Sequence, residues 1–500
     1  MTTRKRSSRK VTRPRAKVKA PAVGATVTVA TWEDDPGDPG QQPALVPITV
    51  AAPDQTAKPL PFKISGATPT PKIYQPGTTN FRFYAAASAL RRTADFWGPI
   101  LPPSTKWKVG ARLPVILDDG IDLNAFYTRG GFGDAPGLHF FHDTVAGRTF
   151  FSGESPDVAC HEMGHAILDA IRPQLFDAQT IEAAAFHEFF GDGCAIVSAL
   201  QVASFRQKVF DETGGVLNRS SRLSRLAEQL GGAIRFQHPS AVEPDCLRNA
   251  VNSFFYRDPQ TLPPSAPASQ LSSEPHSFSR VFTAAFLDVL AGIFRLQGNP
   301  PKVNDMVKAA SDGARILVAG ILDAPIVPDY FSQVAAHMIN AGETAPFNGK
   351  YRDVLKSAFT RRGILSLQAA VTVSSIRATP RRRALTAVAT GGSAELPQAT
   401  ISGEPYGLIR SALKVHTAEE AKQFAVTSSS LMLGPLEPRS AQNAAESYTE
   451  DLFQRGRVDV SSYSHPKSGL RNSVSNKTHV IVEEGGDLVM KRRTFECGFD

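Results

Sequence analysis

Asp157-Val158-Ala159-Cys160-His161-Glu162-Met163-Gly164-His165 sets two histidines four residues apart, with a glutamate directly after the first. On a helix, residues four apart share a face, so both imidazoles can grip one cation. Zinc takes about four ligands in a tetrahedral array and leaves one position open to water when the site is catalytic. Glu162 stands where a carboxylate can take the proton from that water. The stretch reads as a helix built around a metal, and the competing reading is a chance match.

A second helical segment strengthens the metal reading. Ala185-Phe186-His187-Glu188-Phe189-Phe190-Gly191-Asp192 offers Glu188 as a carboxylate for the third ligand position, and Asp192 lies one helical turn beyond it on the same side. Metal-bound histidines usually donate their other ring N–H to a carboxylate, and Asp192 is spaced to accept it; the alternative is an ordinary solvated aspartate.

In this order and spacing the chain resembles the thermolysin-like zinc metallopeptidases, the gluzincins. Their pattern carries a Glu on a helix after the HExxH helix and an Asp four residues further on, as Glu188 and Asp192 stand here. The resemblance covers about Asn80 to Leu365. It implies that Asn124 and Ala125, in Asn124-Ala125-Phe126-Tyr127, begin an edge strand whose backbone binds an extended peptide as an added strand. It implies that Arg248, in the stretch from Leu247 to Pro259, holds the substrate carbonyl, and that His276, followed by Ser279 and Val281, stabilises the oxyanion. It also implies one Zn²⁺ per chain on His161, His165 and Glu188.

The departures from the family are specific. Leu271 stands where the family has an Asp five residues before its oxyanion histidine, with Glu274 as the substitute. The family's assisting Tyr has no clear counterpart between His165 and Glu188. His187 replaces an Asn before the third ligand, with the same hydrogen bond expected of it. Ala195 to Gln207 contains no acid, so no calcium site of the family's type is expected.

The chain has 500 residues, 42% of them hydrophobic and 20% charged, enough for two or three packed domains. Its formal charge of +8 comes from the first twenty residues, which carry nine Lys or Arg and no acid, so the rest is close to neutral. That tail reads as a solvated arm, or as a contact for nucleic acid or an anionic surface. No run is long and apolar enough to read as a secretory signal or a bilayer span, which leads to the expectation of a cytoplasmic protein. Cys160, Cys194, Cys246 and Cys497 are scattered and read as reduced structural thiols.

Residues 1–20 read as the basic tail, 21–75 as a Pro/Gly-rich lead-in with β-like runs at Thr26–Thr31 and Ala44–Val50, 76–366 as the catalytic domain, and 367–500 as an extension, possibly β-rich. Within the catalytic part, Asn80–Trp97 has helical spacing and Leu113–Leu117 and Asn124–Tyr127 read as strands. Helices are expected from Pro156 to about Leu365. A hairpin is expected at His479–Val482 and Leu488–Lys491, around Glu484-Gly485-Gly486-Asp487, in an extension that offers no catalytic constellation. The other histidines, such as His139 and His479, read as structural or surface residues.

The expected fold is an α+β, thermolysin-like two-lobed unit, its HExxH helix set between a β-containing lobe and a helical lobe with a cleft for a peptide. The expected function is a zinc endopeptidase acting on peptide or protein, in which Glu162 activates a zinc-bound water and His276 meets the oxyanion. Two other readings stand beside it: a zinc-retaining scaffold with weak or no turnover, and anion binding through the basic tail.

Overall fold

The computed structural model describes residues 27–37, 41–48, 53–55, 58–373, 395–421, 429–430, 434–435, 439–460, 463–465 and 477–497. The basic tail therefore lies outside the described residues. The protein is α+β.

Each site-bearing helix starts on a cap written in the sequence. Helix α1 (Thr79–Trp97) begins with the Thr78 hydroxyl accepting from Phe81 N. Helix α2 (Pro156–Ile171) carries HExxH; the Ser155 hydroxyl accepts from Val158 N, Pro156 fits the first turn, and Asp157 suits the helix dipole. Helix α3 (Ile181–Ala199) is capped by Thr180 and is buried along its whole length, including the polar residues Glu182, His187, Glu188 and Asp192 that interrupt its apolar sequence. Helix α4 (Pro275–Arg295) is capped by Glu274, whose carboxylate accepts from Ser277 N. Among the described residues α4 is the one helix long and apolar enough to cross a membrane, and 94% of its apolar window is buried inside the protein.

Helix α2 packs on α3, and α3 on α4. The α2–α3 crossing is close because glycines face each other: a Cβ on Gly164 would lie 2.9 Å from Gly191 Cα, and one on Gly191 would lie 2.6 Å from the His161 ring. Gly191 therefore sets the imidazole of His161 against α3.

Three further helices, α5 (Asp305–Asp323), α6 (Tyr330–Glu343) and α7 (Arg352–Arg361), complete the helical layer. Between His238 and Glu274 the chain is largely irregular rather than helical, with only a two-residue strand at Arg248–Asn249 and a short turn of 3-10 helix.

Two five-stranded sheets flank the helices. The first contains β1 (Phe62–Ile64), β2 (Leu113–Ile116), β3 (Ala125–Thr128) and β4 (Gly137–Phe140). The second is made from the C-terminal segment: β5 (Gln398–Ser402), β6 (Ala412–His416), β7 (Val458–Asp459), β8 (His479–Glu484) and β9 (Asp487–Arg492), in the order β5-β6-β9-β8-β7, with helix α8 (Ala441–Gln454) packed on it. The β8–β9 hairpin closes on Gly485-Gly486, both at positive φ (60° and 92°), which suits a tight two-residue turn.

One last strand, β10 (Thr494–Glu496), leaves that sheet and joins the first, whose order is β10-β3-β4-β2-β1. It runs antiparallel to β3, with Thr494 opposite Thr128, Phe495 opposite Tyr127 and Glu496 opposite Phe126.

Candidate metal centre

Helix α2 brings His161 and His165 onto one face, and α3 sets Glu188 against them. Their ligand-type atoms all lie within 4.8 Å of one another. The three side chains are buried, at 3%, 0% and 2% exposure. Glu188 Oε2 lies 3.3 Å from His161 Nε2 and 3.8 Å from His165 Nε2. Neither of those nitrogens nor that oxygen makes a hydrogen bond, and both carboxylate oxygens of Glu162 also lack a partner. A buried polar atom without a partner costs about 1–3 kcal/mol. A divalent cation would satisfy the three converging groups at once, and the donor set of two imidazoles and a carboxylate suits zinc. The residues fit the metal.

The partners of this triad orient it. His161 Nδ1 donates to Asp192 Oδ1 at 3.0 Å, which turns Nε2 toward Glu188. Arg248 closes on the same carboxylate, Nη2 to Oδ1 at 2.8 Å and Nε to Oδ2 at 3.2 Å. Burial pushes the Asp192 carboxyl up, but Arg248 and His161 outweigh it and hold it at about 2. Glu188 is likewise held well below the carboxylate range, burial being overcome by His276 and His165. Burial pulls His165 down to about 3, so its imidazole is neutral, the form that ligates. Burial drives Glu162 well up, with the neighbouring Cys497 adding to it.

No family model matches the chain, and no curated protein matches it.

The other expected site residues converge on the same place. His276, in the first turn of α4, donates Nδ1 to Glu274 Oε1 at 2.8 Å, so Glu274 is the imidazole's partner and the buried Leu271 is not needed for it. Its Nε2 lies 3.1 Å from Glu188 Oε2 and donates to the backbone carbonyl of Glu496 at 2.6 Å. Burial pulls His276 down, yet Glu188 and Glu274 lift it well above the usual histidine range, so both nitrogens serve as donors. Asn124 and Ala125 lie at the start of β3, beside the centre.

Three expectations need correction. His187 makes no hydrogen bond with either ring nitrogen; instead it stacks on Phe495, with centroids 4.0 Å apart and planes at 19°. The track along β3, expected to be an open cleft, is filled by the chain itself: Cys497 N donates to Ala125 O at 2.7 Å, and Asn124 Nδ2 to Glu496 Oε2 at 3.3 Å. The extension, expected to offer nothing to the site, delivers Phe495, Glu496 and Cys497 to it. Phe495 also stacks on His165, at 5.0 Å and 18°, and the Arg492 guanidinium lies 4.1 Å from its ring centroid. Glu496 pairs with Arg457. The space left beside Glu188 and His276 is a cavity of about 30 Å³.

Sequence reasoning passed over Cys497 because it read all four cysteines alike. A signal was present: Phe495 and Cys497 are two apart in a β-prone run, so an aromatic ring and a thiol point to the same face.

Proposed function

We propose that this chain is a zinc-dependent endopeptidase of the thermolysin-like, two-lobed kind, holding one zinc per chain on His161, His165 and Glu188. The observation that carries the reading is the buried convergence of His161 Nε2, His165 Nε2 and Glu188 Oε2, none of which makes a hydrogen bond, with the carboxylate of Glu162 beside them. Bound there, zinc supplies Lewis acidity and lowers the pKa of water toward about 7.

The chain's own residues do the rest. Glu162 follows the first ligand in sequence and keeps both oxygens free of other hydrogen bonds, so in its ionised form it is placed to accept a proton from the attacking water and return it to the leaving amine. His276 already donates Nε2–H to a backbone carbonyl of a strand paired with β3, and the same donor serves an oxyanion developing on a peptide in that place. Asp192 and Glu274 hold the two imidazoles in orientation. Arg248, locked on Asp192, presents a fixed cation beside the track. An extended peptide or protein segment is the substrate class, bound as a strand on β3. The working place we propose is inside the cell, since all four cysteines are unpaired buried thiols.

A second reading, a zinc-holding module without turnover, draws support from the occupied track along β3. The two separate on metal analysis and peptide-library cleavage, run on wild type and on Cys497→Ala, which frees the centre of its thiol. Glu188→Ala should lose most of its zinc. Glu162→Gln in the Cys497→Ala protein should keep zinc and lose turnover by on the order of 10²–10⁴-fold. Full zinc with no cleavage in Cys497→Ala would favour the silent module, and stoichiometric zinc in Glu188→Ala would remove Glu188 from the ligands.

A further inference from the structure

We propose that residues 494–497 are a built-in inhibitor of this centre, a pseudosubstrate strand on β3 whose Cys497 Sγ is the fourth metal ligand in the place the attacking water would take. The inference rests on the metalloenzyme reading above and adds its regulation.

Four independent contacts place the strand. Its backbone pairs with β3, and Cys497 N donates to Ala125 O at 2.7 Å. His276 Nε2 holds the Glu496 carbonyl at 2.6 Å, so the donor proposed for the oxyanion is engaged by the chain's own peptide group. Phe495 lies flat against His165 and His187, and Glu496 is clamped by Arg457 and Asn124. The ligand-type atoms of His161, Glu162 and Cys497 all lie within 4.8 Å of one another, and Cys497 is 2% exposed. The strand thus uses the β3 edge and the His276 donor, the two features proposed above to receive a peptide substrate.

Cys497 borders the apolar core, and on its other side it meets the His161 imidazole, the Glu162 carboxylate and the Arg248 guanidinium. Thiolate is a preferred zinc ligand, and a fourth protein ligand turns an open catalytic site into a closed structural one. Ligation would displace the metal's water, which would carry the thiol proton away as it leaves. With sulfur in the water's place, the peptide group held by His276 has no nucleophile to meet, so the strand blocks the site without being cleaved. Because the inhibitor is tethered, its effective concentration is on the order of millimolar, and no external peptide competes easily. Capture of the thiol, or removal of the strand, opens the site.

The test uses the full chain, loaded with Zn²⁺ or Co²⁺, as wild type, Cys497→Ala and Phe495→Ala. The cobalt protein should show a sulfur-to-metal charge-transfer band in wild type that Cys497→Ala lacks. Alkylation followed by peptide mass mapping should label Cys497 at least about tenfold faster after chelation, while Cys160, Cys194 and Cys246 do not respond. Peptide-library hydrolysis should rise on the order of 100-fold in Cys497→Ala, and also rise in Phe495→Ala, which loosens the strand and leaves the sulfur intact. A band and metal-protected thiol without hydrolysis in any variant would support the latch and refute the peptidase reading. Equal hydrolysis in wild type and Cys497→Ala, with no band and no metal dependence of labelling, would overturn the latch and leave the peptidase reading standing. A chain that binds neither metal would overturn both.

Discussion

Strands β9 and β10 are separated by one residue, Arg493, yet they are held by different forces. Strand β9 lies inside its sheet between β6 and β8, and its partner β8 is reached through a two-residue turn. Its side chains Leu488, Val489 and Met490 are buried at 0%, 3% and 0%. Strand β10 lies at the margin of the other sheet with β3 as its one partner, and the bond from Thr128 Oγ1 to Arg493 O that leads into it spans 365 residues. Closing so long a loop is entropically unfavourable, and three residues of ladder offset little of that. The remainder comes from what β10 touches: Phe495 packs into the apolar core against Phe176 and also stacks on the imidazoles, and Glu496 pairs with Arg457. A strand held by a site as well as by a core loosens when the site changes.

The largest expected effect separates the two strands by substitution in each. Met490→Ala should cost about 2–5 kcal/mol, because a fully buried side chain leaves a cavity that the hairpin cannot close. Phe495→Ala removes a larger side chain, but β10 can lift away instead of keeping the void, so global stability should fall by less than Met490→Ala while Cys497 becomes reactive. Urea denaturation of both proteins decides; an equal loss would mean that β10 is a core strand like β9.

The next effect is produced without mutation. Chelation should raise amide hydrogen exchange in residues 494–497 by roughly tenfold, equivalent to about 1.4 kcal/mol, and leave residues 487–492 unchanged. Exchange that rises equally in both strands would show that the metal supports the whole C-terminal segment.

The smallest effect lies at the junction. Arg493 grips Asp134 with two nitrogens, at 2.6 Å and 3.0 Å, and both side chains are partly exposed (24% and 18%). Such a pair is worth about 0.2–1 kcal/mol. Arg493→Ala should therefore speed Cys497 labelling by about two- to fivefold, without altering β9 exchange.

The hairpin was legible because its information is local: two β-prone runs around Gly485-Gly486 specify turn and register together. The metal triad was legible for a related reason. HExxH needs only helical periodicity, and Glu188 with Asp192 repeats the argument on a second helix. Glu274 could be named as a substitute partner for His276, since it sits two residues away. His187 could not be placed, because its neighbour Phe495 comes from the far end of the chain. The stretch from 238 to 274 departs from the expected run of helices with breaks because its prolines, Pro239, Pro244, Pro259, Pro263, Pro264 and Pro267, leave no interval in which an α-helix forms.

By itself the sequence determined the residue types and the short-range geometry of this protein: two imidazoles on one helical face, a carboxylate and its aspartate on another, capped helix starts and a closing hairpin. Only the tertiary structure decided that the last strand lies on β3 and that Cys497 meets His161. Periodicity and capping act over a few residues and leave marks at fixed spacing, whereas the pairing of β10 with β3 depends on surfaces that exist only once both sheets and the α2–α3 pair have formed.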